Sequence, residues 1–427
     1  MKETFRWNEF ADQPHNVFPK KERRKHHLRH AGSYLELAAV NLRRLVPGLA
    51  LYRRYRKHLY SNPIDIADPF AVSVSPAAEK SDEVIRLLEE AGVKKTLFRI
   101  PSWEVENLDD YEHFIRLLAQ KGFEITVALL QNRNDVLDHG RWRSYLGEVF
   151  GRFSGLVSSY EVGHAWNRTK WGVWDHKEYL GLAEEAFTLA GKHEVRLVGP
   201  AVIDFEFHLY PVLLQYLPFD KISSLLYVDR VGAPENTQFG WDISRKLALI
   251  RASIDVSGGR NKGLWITEVN WPLKGTGKYS PAAGKPNVSE QEQADYLVRY
   301  YLMCLASGFV ERIYWWQLAA PGYGLVDSRS ESWRPRPSFF ALRNLVMRLR
   351  DSCFLGQDFH PKARIFNFRS GNQNFAVCWA PGSRHDCVLY SPSRKILKAT
   401  GRDGEEVPVK NNGVSVHSSP VYLYFTP

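Results

Sequence analysis

The stretch that decides the fold is Gly263-Leu264-Trp265-Ile266-Thr267-Glu268-Val269-Asn270-Trp271-Pro272. Its first half is an apolar, β-branched run of the kind that forms a strand covered on both faces. A carboxylate follows at once, and then an aromatic residue and a proline end the strand. A Glu at the carboxyl end of a covered parallel strand is where an α/β barrel keeps its chemistry. A rim Glu held in a surface ion pair is the plain alternative, and the rest of the chain has to choose between them.

Working outward, the same strand–helix alternation recurs from Pro69. Strands are expected at Phe70–Val74, Thr96–Ile100, Phe123–Leu130, Leu156–Gly163, Val195–Ile203, Ile222–Val228, Leu264–Thr267 and Arg312–Gln317. Helical periodicity fills the gaps, and Pro337 to Arg348 closes the series. Eight such units predict a (β/α)8 TIM barrel over residues 69–350. A doubly wound open sheet is the other candidate, but no Gly-rich phosphate loop follows the first strand, which argues against its nucleotide-binding forms.

After Arg350 the period changes. Short strands at Ala363–Phe368, Asn374–Trp379, Asp386–Tyr390, Lys395–Ala399, Gly413–His417 and Val421–Phe425 are separated by turns such as Asn411-Asn412-Gly413. This predicts an antiparallel β-sandwich over 351–427 that packs on the barrel.

Residues 1–68 read as a basic, partly helical extension. Residues 1–60 hold 14 Lys and Arg against 5 Asp and Glu, so +9 of the chain's +10 net charge sits there. Residues 20–57 are therefore expected to touch a membrane periphery or an anionic glycolipid, or else to form a solvated face clamped on the main domain. Nucleic acid ranks last, because no nucleic-acid motif accompanies the charge.

The four cysteines have no metal-ligand spacing and are too few to staple 427 residues, no apolar run approaches the roughly 20 residues that span a bilayer, and the N-terminus lacks an apolar signal core. A cytoplasmic location is expected, peripheral to the inner membrane if the basic segment binds lipid. No metal and no cofactor are expected.

Barrel catalysis draws on several strand ends. Here these offer Arg99, then Glu161, His164, Trp166 and Asn167, then Asp204, Tyr227 and Asp229, then Glu268, and finally Trp315, Trp316 and Gln317. An Arg and a Tyr beside a Glu donate to its carboxylate and keep it ionised, which suits a nucleophile. A Trp at the last strand suits the floor under a sugar ring. Trp103, Trp171 and Trp174 lie in neighbouring loops, as sugar subsites or as loop anchors.

These strand ends resemble a family. Phe98-Arg99-Ile100-Pro101, Tyr160-Glu161-Val162-Gly163, Trp265-Ile266-Thr267-Glu268 and Tyr314-Trp315-Trp316-Gln317 are similar to the motifs of the retaining (β/α)8-barrel glycoside hydrolases, in their β-xylosidase-like (family 39-like) branch. The resemblance spans roughly residues 69–427. It implies Glu268 as nucleophile, Arg99 and Tyr227 as the residues that orient it, and Trp316 as the aromatic platform; from their places at the strand ends, Trp166, Asn167 and Gln317 are expected as further sugar contacts.

The chain departs from that pattern at one point. Where the clan ends its fourth strand in Asn-Glu, this chain has His164-Ala165, and Ala165 cannot transfer a proton. Glu161 lies four residues earlier, about 13 Å down the strand at ~3.3 Å per residue, whereas a retaining pair stands about 5 Å apart. Three readings stay open. The chain is an enzyme acting on an activated bond, whose phosphate-type leaving group departs unprotonated. Or it uses a substitute acid, His164 first, then Asp204 or Asp229. Or it is a pseudoenzyme that binds glycan or scaffolds assembly of envelope polysaccharide or lipopolysaccharide.

Overall fold

The computed structural model describes residues 6–16, 18–76, 78–229, 231–280, 287–381, 387–390 and 395–426. Its centre is a closed ring of eight parallel strands. They are β1 Phe70–Ser73, β2 Lys95–Pro101, β3 Glu124–Leu130, β4 Ser159–Val162, β5 Leu197–Ile203, β6 Lys221–Leu225, β7 Leu264–Val269 and β8 Val310–Trp315. Neighbours in sequence are neighbours in the ring, and β8 returns to pair with β1 through Ile313–Phe70 and Trp315–Val72. Helices cover the outside: α3 Ser81–Glu90, α4 Leu108–Gln120, α5 Arg133–Leu137, α6 His139–Phe153, α7 His176–His193, α8 Tyr210–Leu213, α9 Ile243–Asp255, α10 Glu290–Leu305 and α11 Pro337–Leu349. The (β/α)8 barrel expected from the sequence is therefore present.

Alternation along each strand explains the layering. In β2, Phe98 and Ile100 face the helices, while Leu97 joins the barrel interior with Ala71, Ala128, Val198, Trp265 and Tyr314. In β8, Ile313 and Trp315 face outward and Tyr314 inward. In β7 the alternation slips. The register with β8 shifts between Ile266 and Val269. An extra residue at such a bulge re-aims the side chain that follows it. Ile266 and Val269 both keep their places in the outer core, so the slip lets Glu268 turn into the mouth of the ring.

The C-terminal region is an antiparallel sheet of seven strands with a two-stranded partner. The seven run in the order Glu406–Val407, Ile396–Gly401, Val421–Phe425, Gln373–Trp379, Arg364–Ser370, Ser352–Asp358, Ile64–Ile66. The pair is Cys387–Tyr390 with Gly413–Val416; Asp386, expected to begin that strand, lies outside the described residues. Leu389, Val414 and Val416 of the pair share a core with Ala376, Ala399 and Leu423 of the large sheet. The sheet is clipped to the barrel by Arg299 of α10. Its Nε donates to Glu235 Oε1 at 3.1 Å, and Trp379 Nε1 donates to the same oxygen at 2.6 Å.

Two strands lie where the sequence gives no clear alternation. Ser352–Asp358 carries a bulge at Gly356, φ +133°, which breaks its pattern. Ile64–Ile66 belongs to the stretch read as an N-terminal extension, yet it pairs with Ser352–Phe354 at the edge of the C-terminal sheet. The rest of that extension forms helices α1 Lys20–Arg29 and α2 Ala31–His58, preceded by a two-stranded turn, Trp7–Asn8 with Gln13–Pro14.

Candidate functional site

Glu268 is buried at the carboxyl end of β7, and its carboxylate is surrounded by donors. Arg99 Nη2 donates to Oε2. Tyr227 OH donates to Oε1 at 2.5 Å. His164 Nε2 lies 3.1 Å from Oε2. Burial alone would raise this carboxyl; the hydrogen bond from His164, the Arg99 charge and the Tyr227 hydroxyl outweigh it and hold it at about 2. Glu268 is therefore ionised throughout the physiological range.

His164 is controlled by the same neighbours. Burial first, then the Arg99 guanidinium, push its imidazole down to about 4 against the pull of Glu268. The ring is neutral at pH 7. Its Nε2 also lies 2.8 Å from Arg99 Nη2, so the tautomer decides whether it accepts from the guanidinium or donates to the carboxylate. Its backbone is fixed by Gln131, which accepts from His164 N at 2.9 Å and donates to His164 O at 3.2 Å. The turn that carries it is left-handed at Gly163 (φ +75°) and at Ala165 (φ +42°). An alanine there is strained by about 1–2 kcal/mol, and such positions concentrate at functional sites.

Tyr227 is held from behind by Lys246. This buried amine donates to Tyr227 O at 3.0 Å, to Val228 O at 2.8 Å and to Gln238 Oε1 at 2.7 Å. Burial lowers it to about 8. Arg99 stacks on Trp316, its guanidinium carbon 3.6 Å from the ring centroid.

A cavity of about 340 Å³ opens above this cluster. Arg99, Tyr227, Glu268 and Trp316 line it together with Arg168, Lys170, Trp171 and Tyr323. Asp204 and Asp229 also line it, Asp204 accepting from Arg168 Nη2 at 2.8 Å and Asp229 from Val231 N at 3.1 Å; Trp166, Asn167 and Gln317 lie behind that lining. Trp166 stacks flat on Tyr179 at 4.4 Å and donates to Pro200 O at 2.7 Å. Asn167 donates to Ile203 O at 3.0 Å and Glu206 Oε2 at 2.9 Å. Gln317 donates to Ser75 Oγ at 2.7 Å. Of the loop tryptophans, Trp171 lines the cavity and meets His164 edge-on at 4.7 Å, while Trp174 lies 3.8 Å under Arg133. Gly172 permits this loop to touch its neighbour: a Cβ there would stand 2.3 Å from Arg133 N.

Sequence reasoning missed Asp12. The N-terminal turn crosses the barrel mouth, with Trp7 packed against Trp103 at 5.4 Å and Trp171 at 6.0 Å. Its Asp12 carboxylate accepts from Arg99 Nη1 at 2.9 Å and from Gln317 Nε2 at 3.3 Å. One guanidinium thus bridges two carboxylates. Burial, partly offset by Arg99 and reinforced by Glu268, raises Asp12 above the usual range. No local sequence signal marks a residue that meets its partner 87 positions away.

Among the described residues, one set of metal-type donors lies elsewhere. His26 Nε2 and His30 Nδ1 each stand 2.7 Å from Asp175 Oδ2. Asp175 also caps α7, accepting from Glu178 N at 2.9 Å. In this geometry the two imidazoles tie α1 to the barrel through hydrogen bonds to a buried carboxylate.

The fold has solved counterparts. A family 39 glycoside hydrolase from the gut symbiont Bacteroides cellulosilyticus WH2 superposes with a TM-score of 0.66 at 15% identity, over 84% of this chain and 81% of that one. The GH51 arabinofuranosidase from Xanthomonas axonopodis pv. citri gives 0.58 at 13% identity, over 86% and 98%. The GH30 endoxylanase from Clostridium papyrosolvens C71 gives 0.57 at 12% identity, over 86% and 98%. No family model and no curated protein sequence matches the chain. The likeness at these identities is one of fold: a (β/α)8 barrel followed by an antiparallel sheet.

Proposed function

We propose that this protein is a glycoside hydrolase-like enzyme that works through Glu268 as nucleophile and acts on glycosyl bonds whose leaving group needs no proton. The observation that carries the reading is the Glu268 carboxylate, kept ionised by Arg99, His164 and Tyr227 and facing a cavity large enough for a sugar.

Glu268 attacks the anomeric carbon and the bond to the leaving oxygen breaks. The glycosyl group becomes an ester of Glu268, and the leaving group departs as an anion such as phosphate. Water then attacks the same carbon, restores the carboxylate and gives up its proton to solvent. Ala165 follows β4 where the resembling clan keeps its acid, and it is buried. General acid assistance is worth about 10²–10⁴-fold, so an unactivated sugar–sugar bond is a poor substrate. His164 is neutral and sits on the nucleophile's own oxygen, so it serves as a hydrogen-bonding neighbour of Glu268. Arg168 and Lys170 stand at the cavity wall with Asp12, Asp204 and Asp229, and Arg168 is paired with Asp204 at 2.8 Å, so the wall carries both signs of charge. The basic extension is what favours a phosphate- or lipid-linked glycoconjugate of envelope polysaccharide or lipopolysaccharide metabolism.

One observation favours a second reading, a catalytically inactive pseudo-glycosidase that binds glycan. The N-terminal turn lies over the mouth and sets Asp12 on Arg99.

Glycosyl phosphates and aryl glycosides with good leaving groups separate the two. Turnover that azide diverts to a glycosyl azide, and that Glu268→Gln abolishes, supports the nucleophile. Saturable glycan binding by wild type with no turnover overturns the enzyme reading. A pH profile that changes in His164→Ala would restore His164 as an acid.

A further inference from the structure

Helix α2 is 28 residues long, about 42 Å at 1.5 Å per residue. Its inner side is pinned to the barrel. Asn41 Nδ2 donates to His208 O at 2.9 Å, Arg44 Nη1 donates to Val256 O at 2.9 Å, and Tyr52 packs on Trp241 at 5.4 Å.

The outer side is apolar and uncovered. Leu28, Leu35, Leu42, Leu45, Val46 and Leu49 are between 42% and 77% exposed. Leu28 belongs to α1, before the break at His30; within α2, Leu35, Leu42 and Leu49 recur every seven residues, which keeps them on one face, and Leu45 and Val46 fill it. Scattered exposed leucines are ordinary, but a continuous stripe marks an interaction surface. From Leu35 to Leu49, at about 1.5 Å per residue, the stripe runs roughly 21 Å along the surface.

Its rim is cationic. Arg24, Lys25 and Arg29 stand at one end, Arg43 beside the middle, and Arg53 and Lys57 at the other end, all exposed. No carboxylate among the described residues pairs with any of these six. The acids of this segment are Glu22 and Glu36, neither fully exposed, and Glu36 is engaged by Lys177 and Tyr216.

We infer that α2 lies flat on an anionic lipid bilayer, with the Leu35–Leu49 stripe and Leu28 of α1 sunk among the acyl chains and the flanking cations on the headgroups. The helix lies in the plane of the surface; no helix among the described residues is long and apolar enough to cross a membrane. The charge decides between a bilayer and a second copy of the chain. Two copies joined through this stripe would bring two sets of unpaired cations together, whereas an anionic surface neutralises them, with a gain of about fivefold in affinity per cation. The inference does not depend on the site chemistry: a pseudoenzyme and an enzyme would be anchored alike.

The test is flotation of the full chain with vesicles of phosphatidylcholine containing 30% phosphatidylglycerol, set against pure phosphatidylcholine. Binding to the anionic vesicles, weakened at least tenfold by Leu35→Ser/Leu42→Ser/Val46→Ser and by 0.5 M salt, is expected, with the melting temperature of the variant unchanged because these side chains support no core. Hydrogen exchange of the wild type reads the same surface without any variant: protection over residues 28–49 on anionic vesicles is expected. No binding by wild type, equal binding by the triple variant, exchange unchanged on vesicles, or a dimer in sedimentation equilibrium that the triple variant dissolves would each overturn the inference.

Discussion

Glu161 gives the sharpest test of the barrel interior. It sits in β4 with its side chain buried, and burial raises its carboxyl to about 7, opposed by the Thr267 and Ser223 hydroxyls and by Arg99 and reinforced by Glu268. Its ordinary value is 4.5. Below pH ~4.5 the group is protonated in folded and unfolded chains alike and contributes no pH-dependent difference. Between about 4.5 and 7 the unfolded chain ionises first, so stability falls as pH rises. Above 7 the loss levels off, at roughly 3 kcal/mol for a shift of about 2.5 units at 1.36 kcal/mol each. Glu161→Gln removes the titration. Its amide also exchanges hydrogen bonds inside the barrel, but that contribution is independent of pH. The stability of the variant relative to wild type should therefore rise by about 3 kcal/mol from pH 4.5 to pH 8. For 427 residues this is a relative gain of roughly 3 °C in melting temperature, read by calorimetry at the two pH values. A difference between the proteins that is the same at both would refute the buried-acid reasoning.

Three further outcomes follow from contacts already described. Tyr227→Phe removes a donor to Glu268, a charge-assisted bond worth about 1.5–3 kcal/mol; the Glu268 carboxyl should rise from about 2, and with turnover as the readout the acid limb of the pH–rate profile should move up with a loss of about tenfold or more. Arg299→Met strands Glu235 beside Trp379 and should cost about 3–5 kcal/mol as a broken buried pair, read as a lowered melting temperature. Asp12→Asn removes the charge that Arg99 Nη1 faces while leaving its bond to Asp12 O at 2.7 Å; if the Asp12 charge holds the N-terminal turn over the mouth, glycan affinity by calorimetric titration should increase, and unchanged affinity counts against that restriction.

Much of this architecture is legible in the sequence because it rests on local periodicity. The β-branched runs of β3, β5 and β7 and the amphipathic helices between strands each bury their own apolar face, so the ring follows from repetition. Glu268 was readable because it follows such a run. Contacts made over long sequence distances were not readable. Asp12 reaches Arg99 and Gln317 only after the ring has closed. Lys246 supports Tyr227 from α9, where a lysine in an amphipathic pattern looks like a solvent-facing residue. Trp166 and Asn167 follow β4 as the resemblance requires, but the left-handed turn at Gly163–Ala165 sends them behind the cavity wall, toward α7 and the loop after β5. Ile64–Ile66 is three residues long, too short for its alternation to stand out.

That short strand has a consequence for the whole chain. By pairing Ile64 with Phe354 and Ile66 with Ser352, the polypeptide fastens a clasp around everything between them, and the entire barrel becomes the loop that the clasp encloses. Neither neighbour can be trimmed away cleanly, because a cut after residue 68 removes an edge from the far sheet as well as the helices before it. The three sequence regions should accordingly melt as one body, with the clasp transmitting the loss of any part to the rest.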